Sequence, residues 1–155
     1  MIQDLLLFAH VIGACVLLGT GAGIAFFMVF SNRRGDPGQI AHVAGIVVLA
    51  DTVFTATAAV AQPVTGYFLA RGAGWPLTEG WVALALLLYV VVGAFWLPVV
   101  WMQIRMWRLA QVAHDTGTPL PPAYHRLYRV WFAFGVPAFA AVLGIVWLML
   151  MKPVL

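Results

Sequence analysis

Charge is what this sequence has least of. Only 8% of its 155 residues are Asp, Glu, Lys or Arg, while 64% are hydrophobic. A soluble domain carries about 25% charged residues. This shortage leaves too little polar surface to coat a soluble globule, and argues against a soluble enzyme, a disordered tail or a nucleic-acid-binding module. Cysteine is nearly missing too. The single Cys15 excludes an intramolecular disulfide and a cysteine-based zinc site. Phosphate-loop, HExxH, GxSxG and dinucleotide fingerprints are absent, so no complete catalytic set is present. No basic stretch precedes the first apolar run, whose only flanking charge is Asp4, so a cleaved signal peptide is not expected.

Long apolar runs are what the chain does have. The mean hydropathy is +0.99. A membrane-spanning helix needs about 20 mostly apolar residues, and four runs meet that length: 5–30, 41–70, 81–104 and 130–151. They fill the chain as a single transmembrane domain. SNRRGDPG at 31–38, RGAGWPLTEG at 71–80 and QVAHDTGTPLPP at 111–122 read as the turns. The expected fold is all-α, an integral membrane four-helix bundle running up-down-up-down.

Arg33, Arg34, Arg105, Arg108, Arg126 and Arg129 fall on one side of such a bundle, Arg71 and Lys152 on the other. The positive-inside rule then places the first and third turns in the cytoplasm and both termini outside. The expected location is the bacterial inner membrane, with the lipid bilayer as the main partner. Trp75, Trp81 and Trp147 against Trp101, Trp107 and Trp131 read as two interfacial belts. Gly19 and Gly23 have the small-xxx-small spacing of close helix packing. Pro63, Pro98 and Pro137 each remove a backbone donor within a span.

Ionisable groups within a span are costly, and mark sites or pairs. Two stand out. His10 lies in the first run on a face with Gly13, Ala14, Leu17 and Gly21, whose small side chains leave room beside the imidazole. It reads as an axial ligand to haem iron or another metal, or as a hydrogen-bond partner to a neighbouring helix. Asp51 starts a stripe with Thr55, Ala58, Gln62 and Thr65 at steps of four and three. It reads as a proton relay, a counter-charge for Arg105, or a structural hydrogen bond. Gln62 matches His10 in depth, so the two are expected to meet. A second stripe comprises Tyr89, Gly93, Trp96, Val100 and Gln103. His10 has no histidine at its own depth, and Met149 or Met151 are the only soft partners near it.

Several segments carry a resemblance: LLGTGAGIAFFM at 17–28, VVLADTVFT at 47–55, QPVTG at 62–66, WLPVVWMQIRM at 96–106 and LPPAYHRLYRVWFAFGVPAF at 120–139. On them most of the chain resembles an uncharacterised bacterial family of four-helix membrane proteins, which implies a fold and no activity. More distantly, LLLFAHVIGACVLLGTG at 5–21 and MKP at 151–153 resemble the ends of HemJ-type protoporphyrinogen oxidases. Copper-resistance D-type membrane proteins look similar in scaffold. The HemJ resemblance implies a b-type haem on His10; Gly13, Ala14 and Gly21 would then clear space for the ring, and Gln62 would orient the imidazole or a distal ligand. It departs from that pattern where a lysine is replaced by Ala85 or a neighbour, and where Phe134–Pro137 lack an acid. The expected function is therefore a haem b-binding membrane protein with a redox or porphyrin-related role. A homodimer, an assembly subunit of a larger membrane complex, and passage of a metal or small solute are the alternatives.

Overall fold

The computed structural model describes residues 1–155 and contains four long helices and no strand. Helix α1 spans Ile2–Arg34, α2 Pro37–Gly72, α3 Gly80–Asp115 and α4 Pro122–Met151. All four are long and apolar enough to cross a membrane. Only 24 of 155 residues are buried. Phe8, Phe26, Leu49, Val60, Leu97 and Leu150 are among the many large apolar side chains left exposed. Such a surface is stable only in lipid, since a soluble monomer rarely shows apolar patches of that extent. The chain is thus a multi-pass, all-α membrane bundle.

The helices overrun the expected spans at both ends, and the turns shrink accordingly. The first turn is two residues long. Gly35 takes the left-handed conformation (φ 73°) that ends α1, and the Asp36 side chain accepts from the Gln39 backbone N–H at 2.7 Å to start α2. Pro37 follows at the first helical position, where its missing donor costs nothing. Helix α3 runs on through the expected third turn as far as Asp115, because QVAHD contains no breaker. Gly117, with φ 64°, and the pair Pro121–Pro122 then reverse the chain.

Helix α2 changes pitch in its middle. Residues Asp51–Thr55 form a π-turn, and the Ala56 N–H donates to the Asp51 carbonyl five residues back. Single π-turns within α-helices are frequent at functional sites. Further along, Pro63 deprives the Ala59 carbonyl of its helical donor. The Tyr89 hydroxyl of α3 donates to that carbonyl instead. A proline defect is thereby turned into a tether between helices, as membrane helices require of any freed backbone group.

Packing is uneven. Helices α3 and α4 lie against each other, α3 also packs on the first half of α2, and α1 packs on both halves of α2. The main core sits towards the arginine-bearing end, around the fully buried Met28, Ile40, Met106 and Tyr124. A smaller core of Trp81, Val82, Ala85 and Leu148 joins α3 to α4 near the termini. Trp81 and Trp131 are therefore interior residues rather than members of an interfacial belt, whereas Trp101 and Trp147 stay exposed. Gly19 and Gly23 do not serve helix packing within the chain, since a Cβ on either would meet nothing within 4 Å. Where the α1–α2 pair parts from the α3–α4 pair, the bundle opens.

Candidate functional site

That opening is a half-enclosed cavity of about 750 Å³ reached by all four helices. Ligand pockets fall at roughly 300–1,000 Å³. Of its 30 lining residues, 23 are hydrophobic, so the walls are greasy. Helix α1 contributes Ala14, Leu17 and Gly21, and α4 contributes Gly135 and Phe139. The polar atoms gather where α2 and α3 face each other. Asp51, Thr55 and Gln62 come from α2, and Tyr89, Trp96 and Gln103 from α3, with Trp131 of α4 beside them. No Lys, Arg or His lines the cavity.

The hydrogen bonds at this polar end follow from the donor inventory. Asp51 is only 3% exposed. Trp96 Nε1 donates to Asp51 Oδ1 at 3.2 Å. Gln103 lies between Asp51 and Trp131. An indole N–H can only donate, so Trp131 fixes the Gln103 carboxamide. Its oxygen accepts from Trp131 Nε1 at 3.2 Å, and its nitrogen donates to Asp51 Oδ2 at 3.2 Å. Two donors thus converge on one carboxylate from α3, locked in place by a third from α4. The Thr55 hydroxyl, one turn from Asp51 and beside its carboxyl, is 8% exposed and makes no well-formed hydrogen bond. Buried polar groups are nearly always paired, and an exception calls for a reason.

The stripe from Asp51 survives the π-turn in part. Asp51, Thr55 and Gln62 line the cavity, while Ala58 is buried. The α3 stripe does likewise, with Val99 on the lining in place of Val100. The counter-charge expected for Asp51 is not formed. Arg105 is exposed, and the one ion pair in the structure joins the N-terminal amine to Asp4 at 2.8 Å. A long basic side chain near a helix end gains more by reaching water than by entering the bundle.

His10 and Gln62 do meet, but not through the ring. Gln62 Nε2 donates to the His10 backbone carbonyl at 2.8 Å. The imidazole Nδ1 lies 2.8 Å from Thr65 Oγ1 instead. Thr65 also donates back to the Ala61 carbonyl at 2.8 Å. Gly66 makes the approach possible, since a Cβ there would sit 3.2 Å from His10 Cε1. Gly13 gives its space to Gln62, whose amide nitrogen occupies the place a Cβ would take, so Gly13 does not clear room for a ring. Ala14 and Gly21 do face the cavity, but His10 does not line it. Met149 packs against the Trp81 cluster and Met151 is exposed. A haem inside the cavity would find neither histidine nor methionine on its walls, so the residues there do not fit a His10-ligated haem.

A second opening lies at the arginine-bearing end. A surface groove of about 620 Å³ brings together Asn32, Asp36, His114, His125 and Tyr128. His42 is not part of it. No three His, Cys, Asp or Glu side chains stand close enough anywhere to hold a metal ion.

Partners of Asp51 are what the sequence alone conceals. Trp131 reads there as a belt residue and Gln103 as one member of a stripe. The signal was depth: Asp51, Gln103 and Trp131 fall at one level of an up-down-up-down bundle, and each indole needs an acceptor.

No curated protein and no solved structure matches this chain, so the likeness to HemJ-type and copper-resistance D-type proteins gains no support. A family model described as "Predicted integral membrane protein (DUF2269)" matches residues 4–153, and the chain belongs to that family.

Proposed function

We propose that this protein binds one lipophilic small molecule within the bundle, in a bacterial inner membrane, with both termini outside. The observation that carries the reading is the cavity: about 750 Å³, apolar along its walls, with Asp51, Thr55, Trp96 and Gln103 among its few polar residues. A greasy pocket with a few converging polar groups is the usual form of a small-molecule site. Six of the eight basic residues lie at one end of the bundle, which supports the orientation. Alkaline phosphatase fused to the C-terminus should be active, whereas an inactive fusion would reverse it.

Filling the cavity tests the reading. A Cβ at Gly93 or Gly135 meets nothing within 4 Å, and both residues line the cavity. The double variant Gly93→Leu/Gly135→Leu should fold, yet lose at least about tenfold in affinity for 1-dodecanol, measured by native mass spectrometry from detergent (about 1.4 kcal/mol per tenfold). Equal binding by wild type and variant would place the alcohol elsewhere and sink the proposal.

A b-type haem on His10 is the second reading, at a different place. What favours it is the imidazole: Nδ1 is engaged by Thr65 and the other ring nitrogen makes no hydrogen bond. Metal-ligating histidines are commonly held in this way through the remote nitrogen. A haem there would lie outside the cavity, against lipid. An absorption spectrum of the same preparation decides. A Soret band lost in His10→Ala would establish it, and a flat spectrum from haem-replete cells would remove it. Partnership as a homodimer or within a larger complex would use the open Gly19–Gly23 strip of α1. A cross-link from Cys15, exposed one turn before that strip, would reveal such a partner, and its absence at high protein density would count against one.

A further inference from the structure

We propose that the molecule held in the cavity is a cation: an alkylammonium, with its charge against Asp51 and its tail along the apolar walls. The inference rests on the cavity being a ligand site, and adds the chemistry of the ligand's head.

Hydrogen bonding around Asp51 suits a carboxylate rather than an acid. Both oxygens already accept, Oδ1 from Trp96 and Oδ2 from Gln103. A neutral Asp51 would carry an O–H for which the Thr55 hydroxyl, one turn along α2, is the one acceptor at hand. Neither indole provides one. Gln103 could accept only by turning its amide, and its nitrogen would then face the Trp131 N–H, donor against donor. Two donors from α3 thus favour the ionised form of Asp51 wherever a cation is present to balance it. A charge at that depth costs several kcal/mol unless it is paired, and nothing in the chain pairs it. Arg105 is exposed, and the cavity is lined by no Lys, Arg or His from any helix. A cation to pair with it can come only from what the cavity admits.

Thr55 supplies the second observation. Its hydroxyl is more than nine-tenths buried, lines the cavity beside the Asp51 carboxyl and makes no well-formed hydrogen bond. An ammonium N–H placed between Thr55 and Asp51 would satisfy the hydroxyl and the charge together. The ring of Trp96 also lines that end, and aromatic rings favour a desolvated cation. The remaining walls, from Leu17 on α1 to Leu143 and Val146 on α4, suit an aliphatic tail.

The test compares probes of equal length and different head charge on the intact protein. Dodecylammonium, 1-dodecanol and dodecanoate are titrated in detergent, with bound probe counted by native mass spectrometry. The amine should bind at least about tenfold more tightly than the alcohol, with the carboxylate weakest, a difference of about 1.4 kcal/mol or more. In Asp51→Asn the amine should fall to the level of the alcohol. Thr55→Val should weaken the amine and leave the alcohol within about twofold, a change worth under 1 kcal/mol. Equal binding of amine and alcohol to wild type would overturn the cation and leave the cavity reading standing. Alcohol binding that the cavity-filling variant does not reduce would overturn both. The wild-type comparison needs no variant, so a poorly folded Asp51→Asn would not blunt it.

Discussion

Gln103→Leu should destabilise the bundle by about 2–4 kcal/mol, more than an ordinary interhelical hydrogen bond is worth in a membrane. Interhelical hydrogen bonds there average about 0.6 kcal/mol, because the dissociated helices find other partners. Gln103 is different on two counts. Its loss orphans two groups at once, Asp51 Oδ2 and Trp131 Nε1. One of them belongs to a carboxylate that is only 3% exposed. A buried donor or acceptor left unpaired costs about 1–3 kcal/mol, and more when charged. The double variant Asp51→Leu/Gln103→Leu should be no less stable than Gln103→Leu alone, since it removes the orphaned charge along with its partner. Reversible unfolding in mixed micelles, followed by circular dichroism, measures both. Losses that simply add would show that Asp51 and Gln103 do not act as a unit.

Spans and site differed in how openly the residues carried them. Four spans could be read directly, because the bilayer sets helix length and excludes charge, and both constraints are written in composition. Their ends could not. Past the hydrocarbon nothing forbids a helix from continuing, so α3 runs on through QVAHD to Asp115. Asp51 announced itself as an acid within a span, and the stripes on α2 and α3 followed from helical spacing. The π-turn at Asp51–Thr55 leaves no mark in the residue pattern. It falls where α2 passes from packing on both α1 and α3 to packing on α1. The surroundings of His10 were hidden for a related reason. Small residues on its own face suggested open space, but Gly13 is filled from across the interface by Gln62. Whether a glycine makes a pocket or receives a neighbour's side chain depends on the other helix. Tyr89 shows the same logic: Pro63 told of a freed carbonyl, and only the fold told which hydroxyl would find it.

Tyr124→Ala should be the most damaging single truncation, at about 3–5 kcal/mol, the range for deleting a buried aromatic ring. The ring is fully buried at the start of α4, against the core that joins all four helices. Burial of apolar groups contributes little to association within lipid, where the tails are equally apolar. Packing losses remain, because an emptied cavity has no atoms with which to replace the lost contacts. Tyr124 also closes a polar chain back to α1. Its hydroxyl donates to Asn32 Oδ1 at 2.8 Å, and Asn32 Nδ2 donates to the Met28 carbonyl at 2.8 Å. Tyr124→Phe keeps the ring and drops the hydroxyl, so it should cost only about 0.5–1.5 kcal/mol. The gap between the two variants separates packing from hydrogen bonding at one position. If Tyr124→Phe proved as harmful as Tyr124→Ala, the Asn32 link rather than the ring would hold α4 to α1. Neither variant should alter the preference for amine over alcohol, because Tyr124 does not line the cavity. The bundle would then have its anchor at the arginine-bearing end, apart from the cavity.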